Sequence, residues 1–290
     1  MFVLIGLAVV FGSILVGYIM HGGKVALLIQ ISEFIIIGGA AFGGVIVGNG
    51  ISGVQTLIKT MLGLLKPPPG SRDSYMELLQ MLFALFTLAR KEGLLALERH
   101  VENPESSELF AQYPGIMSNH HAMEFLCDTV KVILTGAVGH YELSDLMEID
   151  LETHKEEAMK PAHMLSKVGD AMPGFGIVAA VLGVVITMQA INGPPEQIGQ
   201  KVAAALVGTF MGVLLAYGVF QPLSQAVEGR VQAEEEYMQC IRHALLSFAR
   251  GESPITCVEF ARRQIPPAYR PTFREMEESV KGTGRQAAAA

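Results

Sequence analysis

The side chains that could carry charge or relay a proton avoid four stretches of this sequence, and the few that come near them define the chemistry to look for. Inside the four stretches the ionisable side chains are the phenols of Tyr18 and Tyr217. Glu33 and Asp170 stand at stretch ends, and Thr187 and Thr209 add uncharged hydroxyls within. A path for protons or ions through lipid normally displays a buried carboxylate or basic group. Hydroxyls there usually bond their own helix backbone. The chain alone therefore lacks a complete carboxylate relay. That leaves a receptor, a scaffold, or half of a machine whose charge lies in another polypeptide.

Other reactive patterns are weak. HExxH, GxSxG and P-loop motifs do not occur, so no enzyme chemistry is expected. His120 and His121 are adjacent, and neighbours in a helix point to different faces, which makes a poor metal site. No metal or cofactor is expected. Glu148 to Glu157 reads as a solvated acidic face; gathering cations near a membrane surface is the lesser reading. Cys127, Cys240 and Cys257 are scattered, form no CxxC and suit structural thiols in a reducing compartment. With 21 Lys+Arg against 28 Asp+Glu, the net charge of -7 argues against nucleic acid as a partner.

The elements that must hold these groups follow from hydropathy. The chain is 50% hydrophobic and 17% charged, with mean hydropathy +0.39. The apolar excess sits in Met1–Met20, about Phe34–Gly53, about Ala171–Ile191 and about Val202–Leu223. Each is close to the roughly 20 residues that span hydrocarbon, and none contains Asp, Glu, Lys or Arg. Lipid leaves no water to satisfy a backbone, so these must be helices. Met1–Met20 lacks the basic start and small-residue cleavage site of a signal peptide and is read as a retained span.

Short connections, 21–33 and 192–201, make two hairpins. They hold Lys24 and Lys201, whereas the outer flanks hold Lys59, Lys66, Arg72, Lys155, Lys160, Lys167 and Arg230. The positive-inside rule then puts both termini and the long insert in the cytoplasm. The expected fold is all-α and integral to the membrane. Its segments are a first hairpin (1–53), a cytoplasmic helical domain (54–169), a second hairpin (170–223), and a helix extension with a C-terminal tail (224–290).

Within the insert, Pro67-Pro68-Pro69-Gly70 breaks the chain. Leu78, Leu79, Leu82, Phe83 and Phe86 give Tyr75–Ala89 one apolar helical face. Ala122–Thr135 and Tyr141–Lys160 also read as helices, and Ala226–Ala249 as a continuation of the fourth span. Pro254, Pro266, Pro267 and Pro271 are expected to break up the tail, with Gly282–Ala290 disordered. Gly39/Gly43, Gly44/Gly48 and Gly208/Gly212 have the spacing that lets membrane helices approach closely, first within one subunit and secondarily between subunits. Pro173 is read at a span start, where proline costs little. Pro222 lies later in its helix and should kink it or free a carbonyl.

The stretch Val168-Gly-Asp-Ala-Met-Pro-Gly-Phe-Gly-Ile-Val-Ala-Ala-Val-Leu-Gly-Val-Val185 is similar to the third span of the flagellar stator A subunit family, MotA. Val207-Gly-Thr-Phe-Met-Gly-Val-Leu-Leu-Ala-Tyr-Gly218 with Gln221-Pro222-Leu223 resembles its fourth. Leu97-Glu98-Arg99, Glu102-Asn103-Pro104 and Glu152-Thr153-His154 fit its loop, so the resemblance covers nearly the whole chain.

The resemblance implies a pentamer around two copies of a single-span B subunit (MotB), which supplies the membrane Asp. It implies residence in the bacterial inner membrane and torque delivered to the rotor switch protein FliG. Arg90 and Glu98 match the family's rotor-facing charges; eight apart on one helix, they would lie roughly 80° apart around it. Pro173 and Pro222 match its functional prolines. Thr209 matches the hydroxyl lining the ion path and Tyr217 a tyrosine near it. Asp170 fits an acid at the cytoplasmic mouth. Ala180 stands where sodium-driven relatives carry a hydroxyl. A methyl group cannot replace water around a hard cation, so H+ is the expected coupling ion and Na+ the lesser one. An ExbB/TolQ-type energy-transducing subunit is the alternative; those have three spans, with the large loop after the first. A scaffold without transport is the third reading.

Overall fold

The computed structural model describes residues 2–65, 70–189 and 191–286, with side chains to residue 282. Among them are eleven α-helices and no strand. The expected break at Pro67–Pro69 lies outside the described residues, as does the end of the tail after residue 286.

The first compact unit comprises residues 1–67 and 158–229. It holds α1 (Phe2–Met20), α2 (Ile31–Gly63), the later part of α7 (His140–Gln189), α8 (Pro195–Leu215) and the start of α9 (Gln221–Ala249). All four apolar stretches lie in helices long and apolar enough to cross a membrane. The two hairpins thus belong to one body. The second unit comprises 68–157 and 230–290. It gathers α3 (Arg72–Glu92), α4 (Glu98–Glu102), α5 (Pro114–Met117) and α6 (His120–Thr135) with the starting part of α7 and the end of α9. It also includes α10 (Pro254–Gln264) and α11 (Phe273–Gln286).

Local sequence explains the soluble helices. Ser71 caps α3 by accepting from Ser74 N, and Asn119 caps α6 by accepting from Ala122 N. Gly93 (φ +92) ends α3, and Gly136 (φ +63) ends α6 in the left-handed conformation. The apolar face of α3 is fully buried at Leu78, Leu79, Leu82 and Phe86. Each such side chain contributes on the order of 1.5–3 kcal/mol. Phe86 stacks on Phe248 of α9 with centroids 4.6 Å apart, and Tyr75 contacts Tyr237 at 5.5 Å.

Three sequence expectations are corrected. Pro254 does not break the tail but opens α10, where its missing N–H costs nothing. Thr272 and Glu275 form a reciprocal capping box that starts α11: Thr272 N donates to Glu275 Oε2 at 2.7 Å, and Glu275 N donates to Thr272 Oγ1 at 3.3 Å. Helix α11 then lies on α3, tied by Arg72–Glu275 at 2.7 Å, and runs through Gly282 into the region expected to be disordered. Pro173 is not at a helix start either. Helix α7 begins in the second unit and runs through both Pro161 and Pro173. Hydropathy marks where a helix becomes apolar, not where it begins.

The three cysteines are buried and free. Burial pushes the Cys127 thiol up to about 11 and Cys240 up to about 12, so these thiols are unreactive core groups.

Candidate functional site

The seam between α7 and α8 is built from backbone. A Cβ at Gly176 would lie 2.7 Å from Gly208 O, one at Gly212 would lie 2.6 Å from Met172 O, and one at Gly183 would lie 2.8 Å from Ala205 Cβ. The Gly208/Gly212 pair therefore serves close packing inside this chain. The glycines of α2 behave differently: Gly39, Gly43, Gly44 and Gly48 have open space where a Cβ would stand.

Into this seam comes a carboxylate that hydropathy had left at the end of a span. Helix α2 starts at Ile31, three residues before the apolar stretch, so Glu33 lies in its first turn. The side chain is 5% exposed, and Oε2 has no hydrogen-bond partner among the described residues. A Cβ placed on Gly208 would sit 2.7 Å from that oxygen and 3.2 Å from Ala180 N. Thr209 is the next residue, and it and Ala180 are half-buried. The Glu33 carboxylate thus reaches the α7–α8 crossing beside Gly208 and the Ala180 backbone. An acid within one turn of a spanning helix was the available signal for Glu33. Thr187 is bonded to its own helix as expected, Oγ1 donating to Gly183 O at 2.8 Å.

The two prolines bracket a second feature. A proline at position i leaves the carbonyl of i−4 without its helical donor, here Gly169 for Pro173 and Gly218 for Pro222. Just before Pro222 the helix widens into a π turn at Ala216–Phe220, which contains Tyr217 and Gly218. Such a turn accommodates a displaced carbonyl and often marks a functional site. Gln221 Nε2 donates to Asp170 Oδ1 at 2.7 Å, joining α9 to α7 next to Gly169. Tyr217 is 68% exposed and Pro222 is exposed, so both project from the surface of this single chain.

In the second unit, Arg90 and Glu98 are both exposed. They do not share a helix as the spacing suggested. Gly93 turns the chain and a 3-10 segment, Leu94–Leu97, intervenes. Arg90 Nη1 lies 3.3 Å from Gly251 O. Glu98 opens α4, which His100 anchors from the buried side. Arg99 Nε donates to His100 Nε2 at 3.2 Å, so Nδ1 carries the proton given to Ser107 Oγ at 2.7 Å.

Four helices of spanning length, one of them carrying a buried carboxylate to the close-packed seam between two others, define a helical membrane subunit. Residues 4–93 match the model of the motility protein A N-terminal region, and residues 118–240 match that of the MotA/TolQ/ExbB proton channel family. Motility protein A of Salmonella typhimurium is 40% identical over 281 residues, covering 97% of this chain and 95% of that protein. The chemotaxis protein LafT of Vibrio parahaemolyticus is 37% identical, covering 90% of this chain and 92% of the relative. The chain shares its fold with a solved flagellar MotAB stator complex from Bacillus subtilis (TM-score 0.75, 22% identity, 93% and 98% covered). It likewise shares it with MotAB of C. jejuni (TM-score 0.75, 22% identity, 91% and 95% covered). This chain belongs to the motility protein A family and is a stator subunit of the bacterial flagellar motor.

Proposed function

We propose that this subunit sits in the inner membrane with its helical lobe in the cytoplasm and forms a pentamer around two single-span B subunits. Each B subunit supplies an aspartate, and H+ passing that aspartate turns the A ring against the rotor switch protein FliG. The observation that carries the reading is the buried Glu33 carboxylate set against Gly208 and the Ala180 backbone, with Thr209 the next residue along α8. It offers one proton-exchanging carboxylate, and the resemblance sets Ala180, a methyl, where a sodium path would want oxygen. The open glycine face of α2 supports packing against a neighbouring helix. A charge crossing about 100 mV releases about 2.3 kcal/mol, so several ions per cycle are needed for sizeable work.

In this reading Thr209 and Ala180 line the path, Tyr217 borders it, and Asp170 with Gln221 holds its cytoplasmic mouth. Pro173 and Pro222 permit the helix bend. Arg90 and Glu98 face the rotor. Co-expression with a B subunit in a stator-deleted motile bacterium tests the assignment. Swimming should return, at a speed insensitive to Na+ removal at constant proton-motive force. Absence of swimming would favour the scaffold reading, and speed that follows Na+ would overturn the choice of ion.

A further inference from the structure

The pair His120-His121 looks like a weak motif because its members diverge, and in the fold they part company. His120 lines a surface cavity of about 400 Å³ with Glu102, Glu124 and Asp128. His121 turns instead toward His154 of α7, their rings edge-to-face with centroids 4.6 Å apart. Glu234 of α9 completes the group. One ligand atom from each of the three residues lies within 4.8 Å of the other two. Three helices far apart in sequence converge on this point, all inside the unit formed by 68–157 and 230–290.

We propose that His121, His154 and Glu234 form a binding site for a divalent transition metal, with Zn2+ as the best-fitting ion. Two imidazoles and one carboxylate are a borderline donor set. It suits Zn2+, Ni2+ or Cu2+, whereas Mg2+ and Ca2+ prefer oxygen alone. Three protein ligands leave a fourth position for water, and exposed His121 keeps it open to solvent. Zn2+ bonds of about 2.0–2.1 Å place tetrahedral ligands about 3.4 Å apart. The donors therefore close by at most about 1.4 Å on binding, a movement toward which rotation of the exposed His121 side chain contributes. Glu234 offsets part of the metal charge. The neighbouring Lys155 is drawn aside to Glu235, its Nζ 2.9 Å from Oε2 in an ion pair whose angle falls short of a hydrogen bond. A bound ion would tie α6 to both long helices, so the lobe would be stiffer with metal than without.

The test uses the full chain in complex with its B partner in detergent, free of any polyhistidine tag and stripped with chelator. Zn2+ titrated by calorimetry should bind at one site per A chain and raise Tm. His121→Ala and His154→Ala should each weaken binding by more than about tenfold, the lower end of what even an outer-shell partner is worth. His120→Ala should leave it unchanged. Co2+ added to the unmutated complex should show the intense visible absorption of a tetrahedral site, a readout that does not depend on any variant folding. Zn2+ binding that survives His121→Ala with His154→Ala, or unmutated complex that neither binds Zn2+ nor gives the Co2+ spectrum, would overturn the proposal.

Discussion

Glu33 and Gly208 meet where α2 crosses α8, with a Cβ at Gly208 only 2.7 Å from the buried Glu33 Oε2. Glycine is required there because the other neighbours are Ala179 Cβ at 3.1 Å and the Ala180 backbone nitrogen at 3.2 Å. Gly208→Ala is expected to destabilise the solubilised chain by about 1–3 kcal/mol, the range for overpacking a tight seam. Gly39→Ala, into open space, should change it by less than about 0.5 kcal/mol. Thermal unfolding of the two variants checks this; equal losses would contradict the packing described.

Replacing Glu33 by Gln preserves volume and removes the exchangeable proton. Proton flux through the assembled complex should fall by at least about tenfold, less than the usual loss when a proton-transfer group is removed. Copurification of the two subunits should persist. Flux at the unmutated level would remove Glu33 from the path.

Arg90 and Glu98 are presented by different elements, one anchored near Gly251 and the other by buried His100. Reversing both, Arg90→Glu with Glu98→Lys, should lower torque in a bead-rotation assay while membrane assembly remains. The long, exposed bonds of Arg90 contribute less than about 1 kcal/mol. A double variant that fails to assemble would make the pair structural rather than rotor-facing.

Two histidines of the lobe give it a pH dependence of known sign. Burial, then nearby Arg99, lowers His100; burial, then Arg242 and Arg250, lowers His243. Above the unfolded value of 6.5 both forms are neutral and stability is unaffected. As pH falls below it the unfolded chain takes up protons first, so stability declines until the folded histidines titrate and then levels off. Melting in metal-free buffer from about pH 7.5 to 5 should show this decline, starting near the histidine reference value. His100→Gln should flatten part of it. A separate loss is expected as pH falls below 4.5, where Glu259 takes up a proton in the unfolded chain while Arg262 still holds it ionised in the folded one. Stability that stays flat or rises on acidification through the histidine range would refute the assignment.

Pro173 and Glu33 depart from their sequence readings for one cause, Arg90 and Glu98 for another. The apolar stretch starts just before Pro173 and suggests a helix start there, yet α7 is continuous from His140. Glu33 was placed outside its span for the same reason. Arg90 and Glu98 were given one helix because nothing in their spacing reveals that Gly93 adopts φ +92. By contrast, Thr272 and Glu275 carried a capping box in plain view, obscured by the prolines around it.

The four spans, their pairing into hairpins and the amphipathic helix over α3 were legible in the order of residues alone. Those features obey local rules: hydrocarbon demands about 20 apolar residues and a self-bonded backbone, and a buried face demands helical periodicity. That Glu33 lies against Gly208, that α11 packs on α3, and that His121 meets His154 and Glu234 emerges in the folded molecule. Each joins residues distant along the chain. Their meeting depends on how whole helices cross, which no window of neighbouring side chains encodes.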